Sequence, residues 1–144
     1  MKVLYDTSVL VPAIISGHPN HSLTFPCLAM AKQKDVQGYL STHSLAELYS
    51  VLTRLPNPLK VSPDEARAIV MDLLGYLVPV SVSADGYKTL IENAASLQLV
   101  GGVIFDAIIA QAALVAGVDR LATLNARDFN RLGDKISPLV YVPK

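Results

Sequence analysis

Cysteine, charge and long uninterrupted apolar runs are what this 144-residue chain has little of. Cys27 is the single cysteine, so an intramolecular disulfide and a cysteine-rich zinc site are both excluded, which fits a reducing cytoplasm. Only 17% of the residues are charged, and twelve Lys+Arg balance twelve Asp+Glu to a net charge of zero. A broad electrostatic grip on nucleic acid, which shows as a basic excess, is therefore missing. Local contacts, or contacts shared between subunits, remain compatible with that balance. The most apolar stretch, Leu97 to Val118, carries Gln98, Asp106 and Gln111 and has Gly101-Gly102 inside it. A mid-segment Asp is costly in lipid, so this stretch reads as a buried core helix and no membrane association is expected. The N-terminus runs straight into a strand pattern without a basic n-region and small-residue cleavage site, so no signal peptide is expected. Repeats, low-complexity tracts and linkers are also missing.

What is present is a 51% hydrophobic fraction, enough for a single domain over residues 1–144 with a sizeable core. The opening Val3-Leu4-Tyr5-Asp6-Thr7-Ser8-Val9-Leu10-Val11 is an apolar strand pattern that meets one carboxylate and two hydroxyls. Val9 to Ile15 predicts a short helix closed by Gly17, and His18-Pro19-Asn20-His21 predicts a turn. Helical patterns follow over Ser22 to Lys34 and Ser44 to Leu55, with a short strand at Tyr39 to Ser41 between them. Ser62-Pro63-Asp64-Glu65 starts a helix to Leu74, with a Ser cap, Pro at the first position and Glu at the third. Leu77 to Val82 predicts a strand, and Asp85 begins a helix to Leu97. Val103 to Ala116 is apolar nearly all round, which predicts a fully buried helix ended by Gly117. Leu121 to Thr123, Asn125 to Arg131 and Leu139 to Val142 predict strand, one or two helical turns, and strand. Strands alternating with helices imply an α/β fold, a three-layer α/β/α sandwich with a short, mainly parallel sheet.

Four of the twelve acids stand out. Asp6 ends the first strand, where ligands bind in open parallel sheets, although an Asp there also suits a helix cap. Glu47 lies three residues after Ser44, so a capping box is its structural explanation. Asp106 sits among Ile104, Phe105, Ile108 and Ile109 on a helix with almost no polar face; a carboxylate buried there needs a partner or a metal. Asp128 follows a strand, with Asn125 as the alternative cap and the helix dipole as the alternative reason for the acid. Four acids near strand or helix starts, each bracketed by apolar residues, are hard to explain as four unrelated caps. Converging carboxylates repel unless a cation neutralises them, and an all-oxygen set suits Mg²⁺ or Mn²⁺ rather than zinc. Such ions serve phosphodiester hydrolysis.

The ordered set Asp6-Thr7-Ser8, Leu45-Ala46-Glu47-Leu48, Asp106-Ala107-Ile108-Ile109-Ala110 and Thr123-x-Asn125-x-x-Asp128-Phe129 resembles the PIN-domain family, and within it the VapC-type toxins of toxin–antitoxin pairs. The resemblance runs from residue 1 to about residue 142. Thr42-His43-x-x-Ala46-Glu47-Leu48-Tyr49 and His18-Pro19-x-His21 are similar to one branch of that family.

The resemblance implies a cytoplasmic endoribonuclease with one or two Mg²⁺ or Mn²⁺ ions, homodimeric and covered by an antitoxin. Asp6, Glu47 and Asp106 match the core metal-binding acids by position, and Asp128 the fourth, more variable one. Thr7, Thr123 and Asn125 match supporting polar residues. Arg54, Lys60, Arg127 and Arg131 flank the acids in sequence and are candidate RNA phosphate contacts, Arg127 and Arg131 first among them. Other readings are a stand-alone RNA-processing nuclease, a PIN-like interaction module without activity, and a zinc site from His18, His21, His43 and Cys27, whose spacing matches no usual ligand pattern. A dehalogenase-like phosphatase would need a second Asp where Ser8 stands.

Overall fold

In the computed structural model all 144 residues are described. Five strands alternate with seven helices: β1 (Lys2–Tyr5), α1 (Thr7–Ile14), α2 (His21–Lys32), β2 (Gln37–Ser41), α3 (Thr42–Arg54), α4 (Pro63–Leu74), β3 (Leu77–Val80), α5 (Ala84–Ser96), α6 (Val103–Ala116), β4 (Arg120–Ala122), α7 (Ala126–Asn130) and β5 (Val140–Tyr141). All four strand pairings are parallel, in the order β3-β2-β1-β4-β5. Parallel strands need crossovers, and the crossovers here put helices on both faces of the sheet.

The pleat of β1 shows the three layers. Val3 and Tyr5 point into a core shared with Leu10, Leu28, Leu48, Leu52 and Leu73 from α1 to α4. Leu4 points the other way, into a core shared with Leu90 of α5, Ile109 and Ala112 of α6 and Phe129 of α7. Alternation with a period of two therefore distributes one strand between two cores. Gly38 permits the close packing on the first side. A Cβ there would stand 2.4 Å from Leu77 Cδ2 and 2.8 Å from Ala31 Cβ, so any side chain would force β3 and α2 outward.

Local signals fix most boundaries. Ser62 and Glu65 form a reciprocal capping box at the start of α4. Gly117 ends α6 in the left-handed region, φ 63°, where a Cβ is disfavoured. Two expectations are corrected. Helix α3 begins at Thr42 rather than Ser44, because Ser41 caps it by accepting from the His43 amide at 3.2 Å. Ser44 and Glu47 therefore form no capping box. Helix α6 is not enclosed on all sides: Ala107 to Ala110, Ala112 and Ala113 are buried, while Phe105, Leu114 and Val115 face solvent. An apolar residue can lie on an outer face as readily as in a core, so composition alone misassigned these three. No helix is long and apolar enough to cross a membrane.

Candidate active site

Chain order along the sheet reverses between β1 and β4, and in open parallel sheets that reversal opens a crevice beyond the carboxyl ends of the strands. Asp6 follows the last residue of β1 and Thr123 the last residue of β4. The Asp6 amide donates to Ala122 O at 3.0 Å, which locks the two strand ends together. The Asp6 side chain is only 3% exposed. Its Oδ2 accepts from Ser8 Oγ at 2.7 Å and from Thr123 Oγ1 at 2.8 Å. Those hydroxyls are held in turn, Ser8 Oγ by the Leu124 amide at 2.9 Å and Thr123 Oγ1 by the Asn125 amide at 2.9 Å. Asp6 occupies the cap position of α1 without a side-chain cap bond, so the cap role considered for its carboxylate is not made.

The other acids arrive on helices. Glu47 stands on α3, which leaves the carboxyl end of β2; Asp106 stands in the first turn of α6; Asp128 stands in the first turn of α7. Asp106 is half-buried rather than enclosed, and makes no hydrogen bond or ion pair of its own. Its carboxyl is pushed up to about 7, first by desolvation and then by the negative charges of Asp6, Asp128 and Glu47, with Arg131 opposing. Burial likewise raises Asp6, against the lowering effect of the Ser8 and Thr123 hydroxyls, and Glu47 adds to the rise. The negative charges of Asp6, Glu47 and Asp128 are thus all felt at Asp106. The four acids do not close into a cage: no three His, Cys, Asp or Glu side chains stand at metal-holding spacing. Charge and donor type suit a hard divalent cation, since the set is all oxygen and Arg131 offsets only part of its repulsion.

Of the two hydroxyls expected to support the acids, Thr123 bonds Asp6 and Thr7 does not; Ser8, which was not expected to, takes that place. Thr7 Oγ1 is buried without a partner, whereas Ser8, one position on, turns back to Asp6. The available signal was the i to i+2 spacing by which a hydroxyl near a helix start reaches the residue before it. Asn125 contributes its amide, and its exposed side chain makes no cap. Arg131 Nη1 lies 3.5 Å from Asp128 Oδ1, which ties it to the crevice. Arg127 is exposed and tied to none of the acids. Arg54 folds back on Ser50 O, and Lys60 is exposed beyond α3. The histidines do not assemble a zinc site. His18 Nδ1 accepts the Asn20 amide, His21 Nδ1 meets Pro12 O at 2.8 Å, and His43 Nε2 lies 3.7 Å from Glu47 Oε2.

The family model for the PIN domain matches residues 3–135. The chain belongs to the PIN-domain family. Ribonuclease VapC27 of Mycobacterium tuberculosis is 33% identical to this PIN domain over 122 residues, 85% of this chain and 83% of that protein. Two solved structures share the fold. The VapBC2 complex of Rickettsia felis, bound to a DNA fragment from its promoter, superimposes with a TM-score of 0.70 at 20% identity over 100% of both chains. VapC20 of Mycobacterium tuberculosis, a toxin that cleaves the sarcin–ricin loop, gives 0.69 at 16% identity over 88% of this chain and 92% of its own. The PIN domain's carboxyl-edge acids are thus the feature that sequence order and fold both single out.

Proposed function

We propose that this PIN domain is a metal-dependent endoribonuclease that hydrolyses RNA phosphodiester bonds in the cytoplasm as the toxin of a toxin–antitoxin pair. The observation that carries this reading is the convergence of Asp6, Glu47 and Asp128 on the half-open carboxyl of Asp106. The names and partners of the similar proteins support the substrate and the pairing. Asp6, Glu47, Asp106 and Asp128 would hold Mg²⁺ or Mn²⁺. Such an ion, when bound, supplies positive charge against the phosphate and polarises water for attack.

The chain's own residues do the rest. Ser8 and Thr123 donate to one oxygen of Asp6, which orients the other for a ligand. Asp106 is only half-buried, so its carboxyl is accessible from solvent. Arg131 compensates negative charge on Asp106 and Asp128 and is the cation that would contact an RNA phosphate held there. A neutral chain suits this arrangement, with a few placed cations at the crevice instead of a basic face. A homodimer would join two such edges into one groove.

The test is cleavage of single-stranded and structured RNA with Mg²⁺ or Mn²⁺, with and without EDTA. Cleavage restored by added metal is the expected result. Cleavage that ignores EDTA overturns the metal assignment, and no cleavage of any RNA favours an interaction module. Co-purification with the product of an adjoining short reading frame separates a toxin from a stand-alone RNA-processing nuclease.

A further inference from the structure

Phe105 is an anomaly on α6. It directly precedes Asp106, and 51% of it is exposed, although Ala107 to Ala110 in the next turn are buried. Its ring is nevertheless held in place. The imidazole of His43, from α3, lies parallel to it, with 5° between the planes and 5.5 Å between the centroids. His43 is itself fixed beside the acids, its Nε2 buried without a hydrogen-bond partner and 3.7 Å from Glu47 Oε2. A half-exposed aromatic ring, backed by a second ring and anchored one residue from the acid cluster, is built like a surface on which a planar group can lie.

We infer that the open side of Phe105, backed by His43, is a stacking subsite for one unpaired nucleobase of the RNA held at the acids. The inference rests on the nuclease reading and adds a contact to it. Single-stranded RNA is gripped through the faces of its bases, since every base has a π-face and splayed bases are free to stack. Phosphate contacts alone position a strand without choosing its conformation. In this chain, with few cations near the crevice, a stacked base supplies binding that charge does not. It also selects loops and ends over paired stems, whose bases are already stacked. The parallel rings of His43 and Phe105 extend the stack, so the base becomes its third layer. Phe105 touches the substrate; His43 is a positioning residue.

The chain contains no tryptophan, so Phe105→Trp places a single reporter at the subsite. Val115→Trp, on the same helix, 59% exposed and about 15 Å further along its axis, is the control. On rapid mixing with a short single-stranded oligoribonucleotide, the reporter at 105 is expected to be quenched saturably, and the reporter at 115 not. Duplex RNA of the same sequence should quench less. In cleavage assays Phe105→Leu should raise KM on the order of tenfold with kcat little changed, while Phe105→Tyr keeps the wild-type value. Oligonucleotides with single abasic positions give an independent arm. One position should weaken binding to the wild type and leave F105L unaffected.

Unquenched F105W on an RNA that the protein cuts, or wild-type KM in F105L, overturns the subsite and leaves the nuclease intact. Emission at 105 that follows protein concentration instead of RNA assigns Phe105 to a protein interface and also overturns it. A wild-type chain that cuts no RNA defeats the nuclease reading, and the quench still decides the subsite by itself.

Discussion

The two sides of the acid crevice are built on opposite principles. On the β1–β4 side, Asp6 is enclosed and wired: one oxygen receives two hydroxyl hydrogen bonds, and each hydroxyl is pinned by a backbone amide. On the helical side, Asp106, Glu47 and Asp128 have no such scaffold. Asp128 leans on Arg131, Glu47 lies near His43, and Asp106 makes no hydrogen bond or ion pair and meets more like charge than Arg131 offsets. A site made this way has one wall fixed by hydrogen bonds and one that is not. On the proposed reading, the fixed wall would set where an ion goes, and the ion would supply positive charge to the other.

The comparison can be broken most sharply by removing charge from each wall in turn. Asp6→Asn and Asp106→Asn should each lower the cleavage rate by on the order of a thousandfold, the scale of losing one preorganised electrostatic group. Single-turnover assays check this, and undiminished cleavage in both variants would sink the site assignment. Next is the wiring. Thr123→Val removes a buried hydroxyl that serves Asp6 and the Asn125 amide, so it should destabilise the fold by about 2 kcal/mol and weaken metal binding by roughly ten- to a hundredfold. Thermal melting and metal titration read the two effects separately. An unchanged metal affinity would mean that the fixed wall needs no fixing.

The third prediction concerns pH. The carboxyls of Asp6 and Asp106 are raised in the folded chain, so the fold keeps protons that the unfolded chain has already lost. Metal-free stability should therefore fall as pH rises from the ordinary carboxylate range near 3.8 through the value of about 7 at Asp106, and level off above it. Melting in EDTA at pH 5 and pH 8 checks the sign. Asp106→Asn should flatten the slope, and Mg²⁺ should reverse it. A melting temperature that climbs over that range without metal would refute the net repulsion. The smallest effect belongs to Arg131→Gln. Its ion pair with Asp128 is partly exposed, so stability should change by under about 1 kcal/mol. Cleavage should lose part of its salt dependence.

Much of this was legible in the chain itself. The switch from period two to helical spacing located every strand and helix to within a few residues, since buried faces impose those periods. The four acids were found because carboxylates among apolar neighbours are conspicuous. Less legible was whatever depends on a neighbour distant in sequence. Thr7 and Ser8 carry the same chemical group, and only the turn from β1 into α1 decides that Ser8 faces Asp6. Phe105, Leu114 and Val115 are indistinguishable by residue type from Ile108 and Ile109, yet they are exposed, Phe105 in the first turn of α6 and the other two in its last. Ser41 at the end of a strand outcompeted Ser44 as the cap of α3, because the chain leaves β2 directly into the helix.

The hydroxyl clamp on Asp6 also has a history in time. One partner, Ser8, is two residues away, but the other, Thr123, is separated from Asp6 by 117 residues, and the amide that holds Ser8 lies 116 residues beyond it at Leu124. During synthesis the first acid emerges almost at once, and the completion of its clamp comes almost last. Chains grow from the N-terminus and pairings of this separation form late. A growing polypeptide therefore carries an unassembled centre until it is nearly complete, and any truncation before β4 leaves Asp6 without its clamp. For a protein that would cut the RNA of the cell making it, the clamp on Asp6 is complete only once β4 and Leu124 have been made.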